Sequence, residues 1–318
     1  MLKIGVAGAY GAFGIKHLDA LANIDDANVV AVFGPNKAKI NALASERNIP
    51  VACTDFADFL SQDIDAVILS TPTQMHCEQS VQAMKAGKHT FAEIPMADSL
   101  NDAQKMDAIQ KETGMVGMVG HVRRFNPSHQ WIKQRIDAGK FNIQQLDAQT
   151  YFFRRTNTNA KGEARSWTDH LLWHHACHTI DLFLYQTGEV PSEVFGLQGP
   201  AHPDLGIAMD MTIGLKTLSG KLCTLSLSFN NDGPFGSFFR YIGDTGTYIA
   251  NYDDLFDGKQ NPIDLSDVAV SNNGIELIDR EFIAAIKESR EPNSSFSQGL
   301  AVMQVMQELE NQMGMLKV

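Results

Sequence analysis

Cysteine is scarce in this 318-residue sequence: Cys53, Cys77, Cys177 and Cys223 are its only four, and no two form a C-x-x-C pair. Such spacing indicates neither a zinc ribbon nor a disulfide framework. We therefore expect reduced thiols in a cytoplasmic protein. The chain also lacks an apolar run of the roughly 18 residues that cross a membrane. We expect no membrane partner, and no signal peptide ahead of the first apolar segment at Leu2–Ala7.

Basic residues are also in short supply. The sequence has 26 Lys and Arg against 37 Asp and Glu, a formal net charge of −11. A nucleic-acid partner would require a basic face over its phosphates, so we expect none, although a local basic pocket for an anionic ligand is compatible with this charge. Apolar and charged contents of 44% and 20% are ordinary for a globular protein. At ~150 residues per domain, the length predicts two domains.

Strand-length apolar runs alternate with helix-period segments in residues 1–120. Short runs that are buried on both faces are typical of parallel sheets, and the alternation predicts a doubly wound α/β domain of the Rossmann type. The predicted strands are Leu2–Ala7, Val29–Phe33, Ala66–Leu69, His89–Ala92 and Met115–Val119.

Residues 121–318 predict a second, α+β domain. A helix near Pro127–Ala138 precedes a long strand near Ile143–Phe153, and a second helix is expected around Leu171–Tyr185. Strands between residues 192 and 242 are separated by turn residues, which predicts a largely antiparallel sheet of hairpins, and two helices close the chain. An exposed face on such a sheet commonly associates, so we expect a homo-oligomer, most simply a dimer.

A glycine-rich turn, Gly-Ala-Tyr-Gly-Ala-Phe-Gly at residues 8–14, follows the first strand and opens a helix. In a βαβ unit this arrangement lets the backbone approach a pyrophosphate at the helix N-terminus. The spacing is one residue longer than G-x-G-x-x-G, and we interpret Tyr10 as the insertion. A purely steric turn is the alternative. The predicted cofactor contacts in this turn are Gly8, Gly11, Ala12, Phe13 and Gly14.

The end of the second predicted strand carries no acidic residue. An Asp or Glu about 20 residues after the turn binds the ribose of NAD, but none occurs between Ala27 and Ser45. Asn36 and Lys37 stand there instead, and a lysine attracts a 2′-phosphate. This favours NADP over NAD as the cofactor, with NAD still possible. The alternative for Lys37 is an ordinary solvated lysine.

The segment around residues 167–181 is rich in histidine. On a helix, His174 and His178 stand at i and i+4, and Asp181 lies one turn beyond His178. A histidine beside a carboxylate is a candidate general base near neutral pH. The alternatives are a zinc pair lacking a third ligand, packed core histidines, or a structural helix start capped by Asp169. We favour catalysis by His178, His174 and Asp181, without a metal.

Several motifs together resemble the glucose–fructose oxidoreductase/inositol dehydrogenase superfamily, along essentially the whole chain. They include the glycine turn leading to His17, Glu93-x-Pro95, and Arg124-Phe125-x-Pro127. The resemblance implies that His178 is the catalytic histidine beside the substrate carbon. It also implies cofactor contacts at Thr71, Pro72, His76 and Glu93.

Two departures from the family pattern bear on the substrate. Ile94 replaces the lysine of the usual Glu-Lys-Pro, and His174 replaces an aspartate. A sugar alcohol is a weak acid that benefits from that lysine, whereas a hemiacetal hydroxyl is more acidic. No cysteine lies in an evident reactive setting for an aldehyde adduct, although Cys177 adjoins His178. These departures favour a hemiacetal.

Residues 149–155, 165–181 and 228–234 more closely resemble one branch of this family. That resemblance implies a small dicarboxylate semialdehyde, oxidised with NADP⁺ in its cyclic hemiacetal form. Clustered arginines suit carboxylates, although some will form surface ion pairs. The predicted substrate contacts are Arg123, Arg124, Arg154, Arg155, Arg165, His170 and Asn231. Alternatives are a sugar or polyol dehydrogenase of the same family, or a non-catalytic dinucleotide-binding regulator.

Overall fold

The computed structural model describes residues 1–158, 162, 168–271 and 273–314. The chain forms two compact units, each built around its own sheet. The first unit comprises Met1–Val122 with Ser271–Met303, and the second comprises Arg123–Val270 with Gln304–Val318.

The sheet of the first unit has six strands in the order β3-β2-β1-β4-β5-β6, and every neighbouring pair is parallel. The central strand at Ala66–Leu69 is fully buried on both faces, as its apolar run predicted. The doubly wound Rossmann sheet is thereby confirmed. The strands are β1 (Leu2–Ala7), β2 (Ala27–Phe33), β3 (Val51–Cys53), β4 (Ala66–Leu69), β5 (His89–Ala92) and β6 (Gly117–Val119).

Helices follow the strands of this sheet in the expected alternation. A short 3₁₀ turn at Thr73–Met75 precedes one of them. Gly87 has a φ of +74°, which is typical of a glycine just after a helix. The helices are α1 (Ala12–Leu21), α2 (Lys37–Glu46), α3 (Phe56–Leu60), α4 (His76–Lys85) and α5 (Leu100–Thr113).

The sheet of the second unit has seven strands in the order β13-β12-β11-β7-β10-β9-β8. All neighbours are antiparallel except β7 and β10, which confirms the mostly antiparallel sheet. The strands are β7 (Ile143–Tyr151), β8 (Pro191–Gln198), β9 (Asp210–Thr217), β10 (Leu222–Ser228), β11 (Gly236–Gly243), β12 (Gly246–Asn251) and β13 (Asp254–Asp257).

One face of this second sheet is the core of the unit. In β9 and β10 buried residues such as Ile213 and Leu225 alternate with exposed ones such as Thr212 and Thr224. Helices α6 (Pro127–Asp137) and α7 (Cys177–Thr187) belong to the same unit. The expected dimer through the exposed sheet face stays a prediction.

A π-helical segment, Leu171–Ala176, directly precedes α7. The sequence predicted an ordinary α-helix here, and this detail was wrong because a π turn has no periodicity signal over six residues. Such segments are rare in proteins, and those that occur often lie at functional sites.

The closing helices are α8 (Glu276–Glu288) and α9 (Phe296–Met313). Within the first unit α8 packs against α1, which brings Asp279 beside His17. Among the helices of the described ranges, none is both long and apolar enough to cross a membrane.

Candidate active site

The glycine turn after β1 places backbone against backbone. Gly8 has a φ of +73°, and a Cβ on it would lie 2.4 Å from the carbonyl oxygen of Ser70. A Cβ on Gly14 would lie 2.4 Å from the carbonyl oxygen of Gly8. Both positions therefore require glycine for steric reasons.

The N-terminus of α1 offers donors beyond these steric needs. The helix begins at Ala12 with Gly11 as its N-cap, and its first turn has neither a side-chain cap nor an acidic residue. Ala12 and Phe13 are exposed there. Uncapped N–H groups at the positive end of a helix dipole suit an anion, so this turn fits the pyrophosphate of a dinucleotide.

Tyr10 connects this turn to the end of β2. Its ring covers Gly34, where a Cβ would lie 2.4 Å from Tyr10 Cε1. The Asn36 N–H donates to the Tyr10 hydroxyl at 3.2 Å, and the Asn36 side chain caps α2 by accepting from the Lys39 N–H at 3.0 Å. Lys37, at the first position of α2, is exposed. The extra residue of the glycine motif thus packs where the ribose-binding acid is missing.

His76 connects the loops that follow β4 and β5. Its Nε2 lies 2.8 Å from the carbonyl oxygen of Thr71, and its Nδ1 lies 3.0 Å from that of Pro95. Burial lowers the pKa of His76. Thr71 in turn donates its hydroxyl to Gln79 Oε1 at 2.6 Å. Thr71, Pro72 and His76 therefore lie at the carboxyl edge of the parallel sheet, where open α/β sheets bind their ligands.

Glu93, directly after β5, is held by a second histidine. His17 Nε2 lies 3.0 Å from Glu93 Oε1, and His17 Nδ1 lies 2.8 Å from Asp279 Oδ1. Burial alone would lower the pKa of His17, but Asp279 and Glu93 outweigh it and raise that pKa to about 10. The first unit therefore holds an imidazolium between two carboxylates.

In the second unit, His170 and His174 have defined tautomers. His174 Nδ1 accepts the His170 N–H at 3.1 Å, and His170 Nδ1 accepts the Leu172 N–H at 3.1 Å. Because each Nδ1 is an acceptor, each neutral ring carries its proton on Nε2. Burial lowers the pKa of both histidines to about 4. Near neutral pH both are uncharged imidazoles with an Nε2–H.

Asp169 is the acidic centre of this cluster. It accepts a hydrogen bond from His175 Nε2 at 2.9 Å and pairs with Arg154 Nη2 at 2.5 Å. Burial opposes its ionisation, but His175 and Arg154 hold the pKa of Asp169 well below its usual range. Asp169 does not cap the helix, as one alternative held, since His170 occupies the N-cap.

Asp181 pairs with Arg124 through two hydrogen bonds. Arg124 Nε lies 2.9 Å from Asp181 Oδ2, and Arg124 Nη2 lies 2.6 Å from Oδ1. Both side chains are almost completely buried. His178 lies one turn before Asp181, in the first turn of α7, and is partly exposed.

Arg123 and Arg155 differ from these paired arginines, because no carboxylate of the described residues pairs with them. Arg123 donates to the Ser237 hydroxyl at 3.1 Å and lies 4.8 Å from the ring centre of Tyr252. Burial lowers its pKa. Arg155 is exposed and lies 4.1 Å from the ring centre of Phe153. These two guanidinium groups could receive an external carboxylate.

Two further predicted contacts are Asn231 and Arg165. Asn231 donates to the carbonyl oxygen of Pro234 at 2.9 Å, and it lines a pocket of about 380 Å³ with Tyr151, Asp210 and Ser228. Arg165 lies outside the described residues. Among the described residues, no group of three His, Cys, Asp or Glu side chains has the arrangement of a metal site.

The comparisons with known proteins agree with this geometry. Residues 2–121 match the model of the oxidoreductase family with an NAD-binding Rossmann fold, and residues 127–269 match that of the C-terminal domain of bacterial oxidoreductases. A curated relative is the 4-carboxy-2-hydroxymuconate-6-semialdehyde dehydrogenase of Sphingobium sp. (strain NBRC 103272 / SYK-6). It is 58% identical over 313 residues, which cover 98% of this chain and 99% of the relative. The chain belongs to this oxidoreductase family.

Two further similarities are more distant. The NAD⁺-dependent scyllo-inositol 2-dehydrogenase of Bacillus subtilis is 36% identical over 44% of this chain and 40% of its own. The UDP-N-acetylglucosamine 3-dehydrogenase of Acidithiobacillus ferrooxidans has a solved structure with a TM-score of 0.84 at 21% identity, covering 98% of this chain and 97% of that one. The protein is a dehydrogenase of this family with an NAD(P)-binding Rossmann domain.

Proposed function

We propose that this dehydrogenase oxidises the cyclic hemiacetal of 4-carboxy-2-hydroxymuconate-6-semialdehyde to 2-pyrone-4,6-dicarboxylate with NADP⁺, in the bacterial protocatechuate 4,5-cleavage route. The observation that carries the proposal is the 58% identity, over 98% of the chain, to the Sphingobium enzyme named for this substrate. An identity of this extent supports the same substrate class.

The proposed cofactor contacts are residues that follow the strands of the first sheet. Gly8, Gly11, Ala12, Phe13 and Gly14 would bind the pyrophosphate through backbone N–H groups. Lys37 would attract the 2′-phosphate, with Asn36 beside it and no acid to repel that group. Thr71, Pro72, His76 and Glu93 would border the nicotinamide, which when bound supplies the hydride acceptor.

The two carboxylates of the substrate would bind to arginine side chains. Arg123 and Arg155 are the better candidates among the described residues, since Arg124 and Arg154 already pair with Asp181 and Asp169. Arg123 is partly buried, and a partly buried guanidinium without an anion is costly, so a substrate carboxylate would compensate it. Arg124 and Arg154 would then act through the carboxylates that they hold, with Arg165 and Asn231 as further candidates.

The proton of the hemiacetal hydroxyl would pass to His178, while hydride leaves the carbon that bears this hydroxyl. Loss of the proton from the hydroxyl oxygen and of hydride from the carbon that bears it gives the lactone directly, so no cysteine nucleophile is required. His174 and His170 would donate their Nε2–H groups to substrate oxygens, because each Nδ1 already accepts a backbone N–H. Asp181, held by Arg124, would fix the turn that carries His178.

The first product tests the hemiacetal route. Enzyme, semialdehyde and NADP⁺ are mixed, and the earliest product is identified by NMR beside the yield of reduced cofactor. The proposal requires the pyrone lactone in one-to-one yield with NADPH. An open-chain tricarboxylic acid as first product would instead indicate oxidation of the hydrated aldehyde.

A further inference from the structure

Three ionisable side chains of the first unit form one hydrogen-bonded line. Asp279 Oδ1 and Oδ2 lie 2.8 and 3.0 Å from His17 Nδ1, and Glu93 Oε1 lies 3.0 Å from His17 Nε2. The side chains of His17 and Asp279 are fully buried, whereas that of Glu93 is 12% exposed. The line therefore runs from the interior of the unit to a single accessible carboxylate.

Glu93 is fixed at both of its oxygens. Oε1 accepts from His17, and Oε2 accepts the N–H of Ile94 at 3.1 Å. Gly120 leaves room for the carboxylate, since a Cβ there would lie 2.7 Å from Glu93 Oε2. A side chain held in this way has one orientation, and its rotamer entropy is lost before any ligand arrives.

Burying the charged side chains of this line is unfavourable for folding, because buried charges lose their hydration. Apolar side chains of similar size would fill the space between α1 and α8 at a lower cost. Two carboxylates on either side of one imidazolium give the line a net charge of −1. Its anionic end is Glu93, directly after β5 at the carboxyl edge of the sheet.

The oxidised and reduced nicotinamide rings differ by one positive charge. In a doubly wound sheet the two halves of a dinucleotide lie over the two halves of the sheet. The position of the missing ribose-binding acid, after β2, belongs to the β1-β2-β3 half, so the nicotinamide would lie over the β4-β5-β6 half. A fixed anion on this half would stabilise the cationic, oxidised ring more than the neutral, reduced one.

We propose that His17 and Asp279 are positioning residues that hold Glu93 as an oriented anion, and that this anion makes the enzyme favour oxidised over reduced nicotinamide cofactor. The inference rests on the proposed function, which puts Glu93 beside the nicotinamide. Asp279 and His17 act through Glu93 and need not touch the cofactor.

The test is a set of equilibrium affinities for three ligands. Dissociation constants for NADP⁺, NADPH and 2′-phospho-ADP-ribose, which lacks the nicotinamide, are measured for the wild type, Asp279→Asn and Glu93→Gln; NAD⁺, NADH and ADP-ribose replace them if the enzyme uses NAD. Asp107→Asn is the matched control, since Asp107 is another buried aspartate of the first unit, bonded to Ser297 and Lys111.

For Asp279→Asn we expect the ratio of the NADP⁺ to the NADPH dissociation constant to rise about threefold to tenfold, with the affinity for 2′-phospho-ADP-ribose unchanged. Glu93→Gln should raise the ratio at least as much, and Asp107→Asn should leave it unchanged. A purely structural role would weaken all three ligands together.

The positioning role of Asp279 and the placement of Glu93 can be overturned separately. A changed ratio in Glu93→Gln with an unchanged ratio in Asp279→Asn overturns the positioning role and leaves the placement of Glu93 intact. An unchanged ratio in both variants overturns the placement of Glu93 itself. If Asp279→Asn does not bind 2′-phospho-ADP-ribose, Asp279→Ser takes its place under the same criteria.

Discussion

Arg123 lies 4.8 Å from the ring centre of Tyr252 and donates to the Ser237 hydroxyl at 3.1 Å, yet it pairs with no carboxylate of the described residues. The carboxylate of Asp253, whose charge acts on Arg123 from farther away, accepts a hydrogen bond from Asn126 at 2.8 Å. In the same unit Arg124 and Arg154 both have acidic partners. This difference makes Arg123, like the exposed Arg155, a candidate partner for a substrate carboxylate.

Replacing Arg123 by alanine should therefore lower kcat/KM for the semialdehyde. Loss of a charged partner of a bound carboxylate costs about 2–4 kcal/mol, or roughly 30-fold to 1000-fold. Arg135→Ala is the control, because Arg135 also stacks on an aromatic ring, that of Trp131 at 4.5 Å, outside the candidate site. Steady-state kinetics with both variants check this, and equal losses in the two would refute a specific role for Arg123.

Charge reversal at Lys37 should alter cofactor choice. Lys37 is exposed at the start of α2, so Lys37→Glu should leave the fold intact. Repulsion of the 2′-phosphate should reduce kcat/KM for NADP⁺ by about tenfold and spare NAD⁺. Lys85→Glu, on another helix of the same unit, controls for net charge. A parallel loss for both cofactors would argue against a phosphate contact at Lys37.

The His17 and Asp279 pair should make stability depend on pH in the alkaline range. The pKa of His17 is raised from 6.5 to about 10, so the folded state holds a proton that the unfolded state releases at lower pH. The stabilisation is complete below pH 6.5 and is lost as the pH rises towards 10. Urea unfolding of the wild type and Asp279→Asn should show a stability difference that shrinks over this window, whereas a constant difference would mean that His17 is neutral.

His178 is the proposed base, and its replacement tests the chemical step. General-base assistance is typically worth 10²–10⁴-fold, so His178→Asn should lower kcat by about that factor and leave cofactor affinity unchanged. The acidic limb of the pH–rate profile should disappear as well. Cys177→Ser, the adjacent position, should retain activity. Near-native kcat in His178→Asn would exclude His178 as the base.

Local patterns predicted the sheet well. The strands at Ala66–Leu69 and His89–Ala92 were predicted with their observed bounds. A short apolar run between residues that break strands leaves little choice of where the strand begins and ends. The three-residue strand Val51–Cys53 and the hairpin strands β12 and β13 were missed. Short strands that depend on a neighbouring edge carry little signal of their own.

The candidate site was predicted less completely, because its partners are distant in sequence. The ion pair of His17 and Asp279 spans 262 positions, and no periodicity relates such residues. Asp169 was considered only as a helix cap, although it is the partner of Arg154 and His175. An acid directly before a histidine cluster is the one local signal that could have indicated its role.

Cofactor reduction tests the central claim most directly. Initial rates are measured from absorbance at the reduced-nicotinamide band, with the dicarboxylate semialdehyde or myo-inositol as substrate and with NADP⁺ or NAD⁺ as cofactor. We expect rapid reduction with the semialdehyde, a higher kcat/KM for NADP⁺ than for NAD⁺, and negligible turnover of myo-inositol. Turnover of myo-inositol without turnover of the semialdehyde would contradict the proposed function.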